Sequence, residues 1–376
     1  MKEIYSQPKK IGNIEVKNRF VRSATGERLA SEKGEVTEEL IQFHKILAEG
    51  GVGLIITGVT YVHANGIGIP NQLGIDRDNL IPGLRRLTEV VHKYGDGCKI
   101  VVQLHHSGRQ SMILENPLAP SAVFEPTFDV TPIEMTIDDI QNTVEAFAQA
   151  ARRAKESGFD AIQLHAAHGY LLSEFLSPYT NRRSDDYGGT TDNRYKIIQE
   201  IYTRTVELVG KDFPILIKMN VDDYMEGGIT LEESKKIAEK LSKTGFDAIE
   251  TSSAMWEVTT RSRKELGWHP AFNPEARTNI DSKEKEAYHL PYAKVIKKFI
   301  DVPLILVGGL RSLDVIQNIL EKGHADFIGL CRPLIREPDL PNKWLSGTGE
   351  ITCKCISCNG CTGSLLVGSL RCAQEK

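Results

Sequence analysis

Short apolar, β-branched runs recur along the chain, separated by longer stretches in which apolar residues fall at three- and four-residue spacing. The runs occupy residues 20–24, 53–57, 100–104, 161–165, 215–219, 248–251, 304–307 and 327–329. Helical spacing marks 37–48, 80–94, 136–157, 193–209, 231–243, 292–299, 313–322 and a segment after Pro333. At two helix starts, Thr136-Ile-Asp-Asp and Thr230-Leu-Glu-Glu, an acidic side chain follows the threonine by three residues, the form of a reciprocal cap. A strand followed by a helix, repeated about eight times, predicts an α/β chain folded as a (β/α)8 TIM barrel. Chemistry is then expected where the strands end, in the loops that lead to the helices.

Those loops hold the notable side chains. The fourth run ends in His165-Ala-Ala-His168-Gly-Tyr170. Two imidazoles can donate hydrogen bonds to one substrate oxygen, and a phenol beside them can supply a proton. A His-x-x-His pair by itself fits packed histidines or metal ligands equally well. The third run ends in Gln103-Leu-His105-His106-Ser-Gly108-Arg109, where an amide could pair with a heterocycle that carries both donors and acceptors. A metal-hydrolase barrel is disfavoured, because the first run carries no His-x-His and the eighth ends in Gly329-Leu330-Cys331-Arg332 without a carboxylate. Gly308-Gly309 after the seventh run and Cys331-Arg332 after the eighth form the phosphate-binding corner that barrels often use. Lys218, at the end of the fifth, brings a positive charge to the mouth.

Three further segments stand out. Residues 176–195 are densely polar, with Asn, Asp and Arg expected to satisfy one another and Thr191 or Asp192 to cap the next helix. Connections 104–136 and 252–290 are too long for turns and suit lids or binding surfaces, the second being rich in Trp and Arg.

Charge changes the picture by exclusion. With 46 basic and 50 acidic residues in 376 and no long run of one sign, nothing favours nucleic acid or an anionic membrane as partner. The polar N-terminus and the absence of an eighteen-residue apolar run predict a cytoplasmic protein. Cys98 and Cys331 lie in apolar segments, as buried thiols do, while five cysteines crowd the last two dozen residues. The expected division is a barrel over 1–345 and a cysteine-rich appendage over 346–376.

Together, Asn18-Arg19-Phe20 leading to Ser23-Ala24-Thr25-Gly26, Gln103 with Gly108-Arg109, His165 to Tyr170, and the 176–195 block closely resemble the old yellow enzyme family of FMN-dependent ene-reductases. The resemblance runs from about residue 4 to 340. It implies that Ala24, Thr25, Gly58, Val59 and Gln103 contact the flavin ring, and that Gly308, Gly309, Cys331 and Arg332 hold its phosphate. It further implies that His165 and His168 grip a substrate carbonyl and that Tyr170 gives the proton. NADH or NADPH would reduce FMN, and the reduced flavin would pass hydride to an enone-like small molecule. Lys218 departs from the family's usual arginine, keeping the charge while losing the planar fork.

Cys355-x2-Cys358-x2-Cys361 followed by Cys372 resembles the [4Fe–4S] segment of longer family members such as dienoyl-CoA reductases and trimethylamine dehydrogenase. Zinc or free thiols are the alternatives. Those members carry a second flavin domain past this point, so a cluster here would imply a separate electron-donating flavoprotein. Amine oxidation on the same flavin, an electron-transfer subunit and a homo-oligomer remain open at this level.

Overall fold

The structure, a computed structural model, describes residues 3–270 and 273–374. Eight parallel strands form its centre: β1 Phe20–Arg22, β2 Leu54–Tyr61, β3 Lys99–His105, β4 Ala161–Ala166, β5 Ile215–Asn220, β6 Ala248–Ser252, β7 Leu304–Leu306 and β8 Phe327–Leu330. They close into a barrel because β1 pairs with β8 through Phe20 and Ile328 and with β2 through Val21 and Leu54. Between them run α1 Glu38–Glu49, α2 Ile81–Tyr94, α3 Ile137–Glu156, α4 Thr191–Val209, α5 Leu231–Thr244, α6 Leu290–Ile296 and α7 Leu313–Glu321, with α8 Arg332–Arg336 after the last strand. An antiparallel hairpin, Lys9–Ile11 with Ile14–Val16, precedes β1.

The strand faces explain the packing. Val21, Leu54, Ile56, Val101, Ala161, Leu216, Ala248, Ile305 and Phe327 point into the barrel and pack with Ile11 and Val16 of the hairpin. Their neighbours in sequence, such as Ile55, Ile100, Val102, Ile162 and Ile217, face the helices and form the larger outer core. This is the period-two alternation of a strand buried on both faces.

Several boundaries differ from the pattern-based expectation. β1 ends at Arg22, where the chain turns into the Ser23–Gly26 loop. β2 continues to Tyr61 through a register shift between Ile56 and Val59, which periodicity alone does not reveal. The reciprocal cap forms at Thr136 with Asp139, whereas Thr230 makes no side-chain cap bond. Thr190, rather than Thr191 or Asp192, caps α4, because Asp192 pairs with Lys240 at 2.6 Å and Thr191 donates to Glu233.

The 176–195 block folds onto itself. Asn181 donates to the carbonyls of Phe175 and Tyr187 at 2.8 and 2.7 Å, Arg183 holds Asp185, and Arg194 reaches Leu176 O at 2.7 Å. Residues past 346 return to the top of the barrel. Leu313 N donates to Ile351 O (2.8 Å), Cys353 N to Arg311 O (2.9 Å) and Leu370 N to Glu27 O (3.0 Å), and Gly360–Val367 is helical. Among the described residues no helix is long and apolar enough to cross a membrane.

Candidate active site

On four of the strands, β3 to β6, the inward-facing row turns from apolar to polar two positions on toward the C-terminal end. Val101 is followed by Gln103, Ala161 by Gln163 and His165, Leu216 by Lys218, and Ala248 by Glu250 and Ser252. Strand register sets Gln103 opposite Gln163, and Lys218 opposite both His165 and Glu250. A buried polar layer follows directly from this.

Its hydrogen bonds run in one direction. Gln103 Nε2 donates to Gln163 Oε1 at 2.7 Å, and Gln163 Nε2 donates to Glu250 Oε2 at 2.8 Å. Ser23 Oγ donates to Glu250 Oε1 at 2.5 Å, and Lys218 Nζ lies 3.2 Å from both Glu250 and Ser23. Because a carboxylate only accepts, Glu250 fixes the amide of Gln163, which in turn fixes that of Gln103. Gln103 therefore keeps its carbonyl oxygen for the cavity above.

That cavity opens at the C-terminal rim. Ala24, Thr25, Val59, Gln103 and Lys218 line one part, His165, His168 and Tyr170 another, and Gly308, Gly309, Cys331 and Arg332 a third. Gly58 is left out: it does not line the cavity, and its N–H donates to the buried Glu27 carboxylate at 2.9 Å. Asn18 and Arg19 serve the barrel instead, with Asn18 donating to Gly51 O and Arg19 to Gln7 O and Asp326 O.

Burial, followed by the nearby charged groups, holds His165 and His168 well below the ordinary imidazole range, so both rings are neutral at physiological pH. Ala167 N donates to His165 Nδ1 at 3.4 Å, which assigns the ring proton to Nε2. His168 Nε2 meets Ser252 Oγ at 2.6 Å, and its backbone is held at φ +63°. The Tyr170 ring stands edge-on to His165 and His105, centroids 5.0 and 4.5 Å away. Burial raises its hydroxyl above the usual phenol range, and Glu275 adds to the rise. His106 is taken by Asn65 Oδ1 at 2.9 Å.

At the third part of the cavity the glycines are required. Gly308 and Gly309 have φ of +127° and +71°, and a Cβ would lie 2.9 Å from His289 Nδ1 or 2.7 Å from the Tyr288 ring. Arg332 donates to Arg277 O at 2.8 Å and Asn359 Oδ1 at 2.6 Å, and Thr25 Oγ1 contacts Cys331 Sγ at 2.8 Å.

Among the described residues no three His, Cys, Asp or Glu side chains are grouped so as to hold a metal. Cys361 lines the cavity, pushed up to about 12 by burial and then by Cys331, while Cys358 is exposed. The donor set, four closely spaced thiols, suits a cluster chemically. Cys98 is buried and Cys331 only partly so.

Glu250, Gln163, Ser252 and Glu275 were missed by motif reading. A signal existed for the first two: a charged and an amide residue inside otherwise apolar strands, Ala248-Ile-Glu-Thr-Ser and Ala161-Ile-Gln-Leu-His.

A closed eight-stranded barrel with a buried polar floor, a glycine–arginine corner and a His/His/Tyr wall defines a cofactor-binding barrel enzyme. Residues 5–349 match the model of the NADH:flavin oxidoreductase / NADH oxidase family, and the chain belongs to that family. It is 38% identical over 372 residues to an NADH oxidase of Thermoanaerobacter brockii, a match covering 96% of this chain and 54% of that protein. An NADPH dehydrogenase of Geobacillus sp. (strain WCH70) is 36% identical, with 91% and 93% covered. The fold matches a 2-naphthoyl-CoA reductase in complex with 2-naphthoyl-CoA at TM-score 0.89 and 28% identity, covering 98% of this chain and 56% of that one. The chain thus spans about half the length of the first of these relatives and of the reductase. Membership implies FMN as cofactor.

Proposed function

We propose that this chain reduces a carbon–carbon double bond conjugated to a carbonyl. The observation that carries the reading is the single cavity shared by His165, His168 and Tyr170 with Gln103, Lys218 and the Gly308-Gly309/Arg332 corner.

The residues present suit FMN. Gln103 offers a carbonyl oxygen to the N–H of a pyrimidine edge, Lys218 a positive charge, and the corner a Cβ-free approach for phosphate. Ala24, Thr25, Val59, Cys331 and Arg332 would complete the contacts. Bound FMN, reduced by NADH or NADPH, supplies hydride.

The protein's part is electrostatic and acid–base. His165 Nε2–H and His168 donate to the substrate carbonyl oxygen, stabilising the enolate charge that grows as hydride reaches the β-carbon. Neutral imidazoles suit this role, since they donate without giving up a proton. Tyr170 passes its hydroxyl proton to the α-carbon, and water restores it. The 252–290 connection, which lines the mouth with Trp256 and Glu275, selects the substrate.

No step is routed through an iron–sulfur cluster; Cys355, Cys358, Cys361 and Cys372 are the residues that would hold one. We assign the barrel to 1–345 and treat 346–376 as an appendage that covers part of its mouth. Stopped-flow kinetics of the two half-reactions tests the reading. His165→Ala with His168→Ala should leave reduction by NAD(P)H intact and slow reoxidation by an enone by about 10²–10³-fold. An unchanged enone step would remove the carbonyl clamp from the account.

A further inference from the structure

The hydroxyl of Tyr170 has one hydrogen-bond partner among the described residues, Trp256, whose Nε1–H donates to it at 3.2 Å. An indole nitrogen donates only, so the tyrosine oxygen must be the acceptor. The hydroxyl hydrogen then has no acceptor among the described residues, and both side chains line the cavity.

Trp256 itself is held in place from below. It opens the 3-10 turn Trp256–Thr260, and the next residue, Glu257, is buried and ion-paired with the buried Arg109. Arg109 also donates to Val123 O at 3.2 Å and Phe124 O at 3.1 Å, and its backbone N–H donates to Glu174 at 2.9 Å. Arg109 thereby ties the loops after β3, β4 and β6 together, through its backbone N–H to Glu174 and its guanidinium to Glu257. Phe128 packs on the indole, ring centroids 5.6 Å apart.

We infer that Trp256, locked by the Arg109–Glu257 pair, is a positioning residue that aims the Tyr170 hydroxyl at the substrate and stabilises the phenolate left after proton transfer. The inference rests on Tyr170 being the proton donor. In that step the Tyr170 O–H bond breaks as the α-carbon–hydrogen bond forms, the electron pair stays on the phenol oxygen, and water then reprotonates it. Hydride comes from FMN reduced by NAD(P)H. An N–H aimed at the oxygen stabilises the charge that develops there. Trp256 is thus expected to lower the hydroxyl's pKa against the rise that burial causes.

Trp256→Phe keeps an aromatic ring against Phe128 and removes only the N–H. FMN-loaded protein, reduced by NADPH and mixed with 2-cyclohexenone across a pH series, reads the effect. The variant should reoxidise about tenfold more slowly on its plateau, with a larger solvent isotope effect, and its alkaline limb should move to higher pH. The circular dichroism spectrum and bound FMN content of the variant, compared with the parent's, verify folding. Glu257→Gln, which retains the indole but weakens its anchor, should shift the same step in the same direction and by less. A parental plateau, limb and isotope effect in Trp256→Phe would overturn the inference if Tyr170→Phe is slow. If Tyr170→Phe is itself parental, the proton-donor reading falls, and the role of Trp256 falls with it.

Discussion

Replacing Glu250 by glutamine removes the one carboxylate on which the polar floor converges. Its two oxygens accept from Ser23 at 2.5 Å and Gln163 at 2.8 Å, and Lys218 lies at 3.2 Å, with both Glu250 and Lys218 buried. A glutamine presents one oxygen and one NH2, so at least one donor meets another donor, and the Lys218 ammonium loses its 3.2 Å ion-pair partner. Removing one partner of a buried pair typically costs about 3–5 kcal/mol. Unfolding entropy of about 2.1 cal/mol/K per residue over 376 residues converts this to a Tm loss of about 4–6 °C. The amide relay also fails: Gln163 is free to flip, and Gln103 no longer presents its oxygen upward, so FMN should bind about tenfold more weakly. Differential scanning fluorimetry and flavin fluorescence quenching measure the two effects. Lys218→Met added to Glu250→Gln should recover much of the stability, since both charges are then gone, but not the FMN affinity. A single variant with the parental Tm and FMN affinity would refute the argument that Glu250 organises the site.

Other outcomes follow from the same geometry. Tyr170→Phe should slow enone reduction by about 10²-fold or more while leaving flavin reduction unchanged in stopped flow. Gly309→Ala places a Cβ 2.7 Å from the Tyr288 ring at φ +71°, and the protein should lose FMN on gel filtration. Burial, partly offset by Arg22 and the Gly58 N–H, pushes Glu27 up to about 7. Its protonated form is therefore favoured by folding, and the associated stability is full below about pH 4.5 and lost as pH rises toward 7, up to about 3 kcal/mol. Glu27→Gln should flatten that part of the Tm–pH curve, and a curve parallel to the parent's would contradict the assignment.

Strand order and barrel closure were legible because each strand is a short apolar run buried on both faces and each crossover an amphipathic helix. Ends were less so, since the bulge at Ile56–Val59 and the turn at Ser23 depend on what the loops contact. Gln103, Lys218, His165 and His168 could be found because polar residues at strand ends stand out. Glu250 could not be given a role, because its meaning lies in register, which sets Glu250 opposite Lys218 on a neighbouring strand, far from it in the chain. The cysteine spacing was equally plain, yet spacing does not say whether four thiols converge. Trp256 was visible only as an aromatic in a long loop, and its contact with Tyr170 depends on the buried Arg109–Glu257 pair.

Anaerobic stopped flow of the FMN-loaded protein tests the central claim most directly. NADPH or NADH should bleach the flavin, and 2-cyclohexenone should restore its absorbance in the parent but far more slowly in the His165→Ala/His168→Ala variant. A reduced flavin that the enone does not reoxidise, or that it reoxidises equally fast in both proteins, would contradict the account.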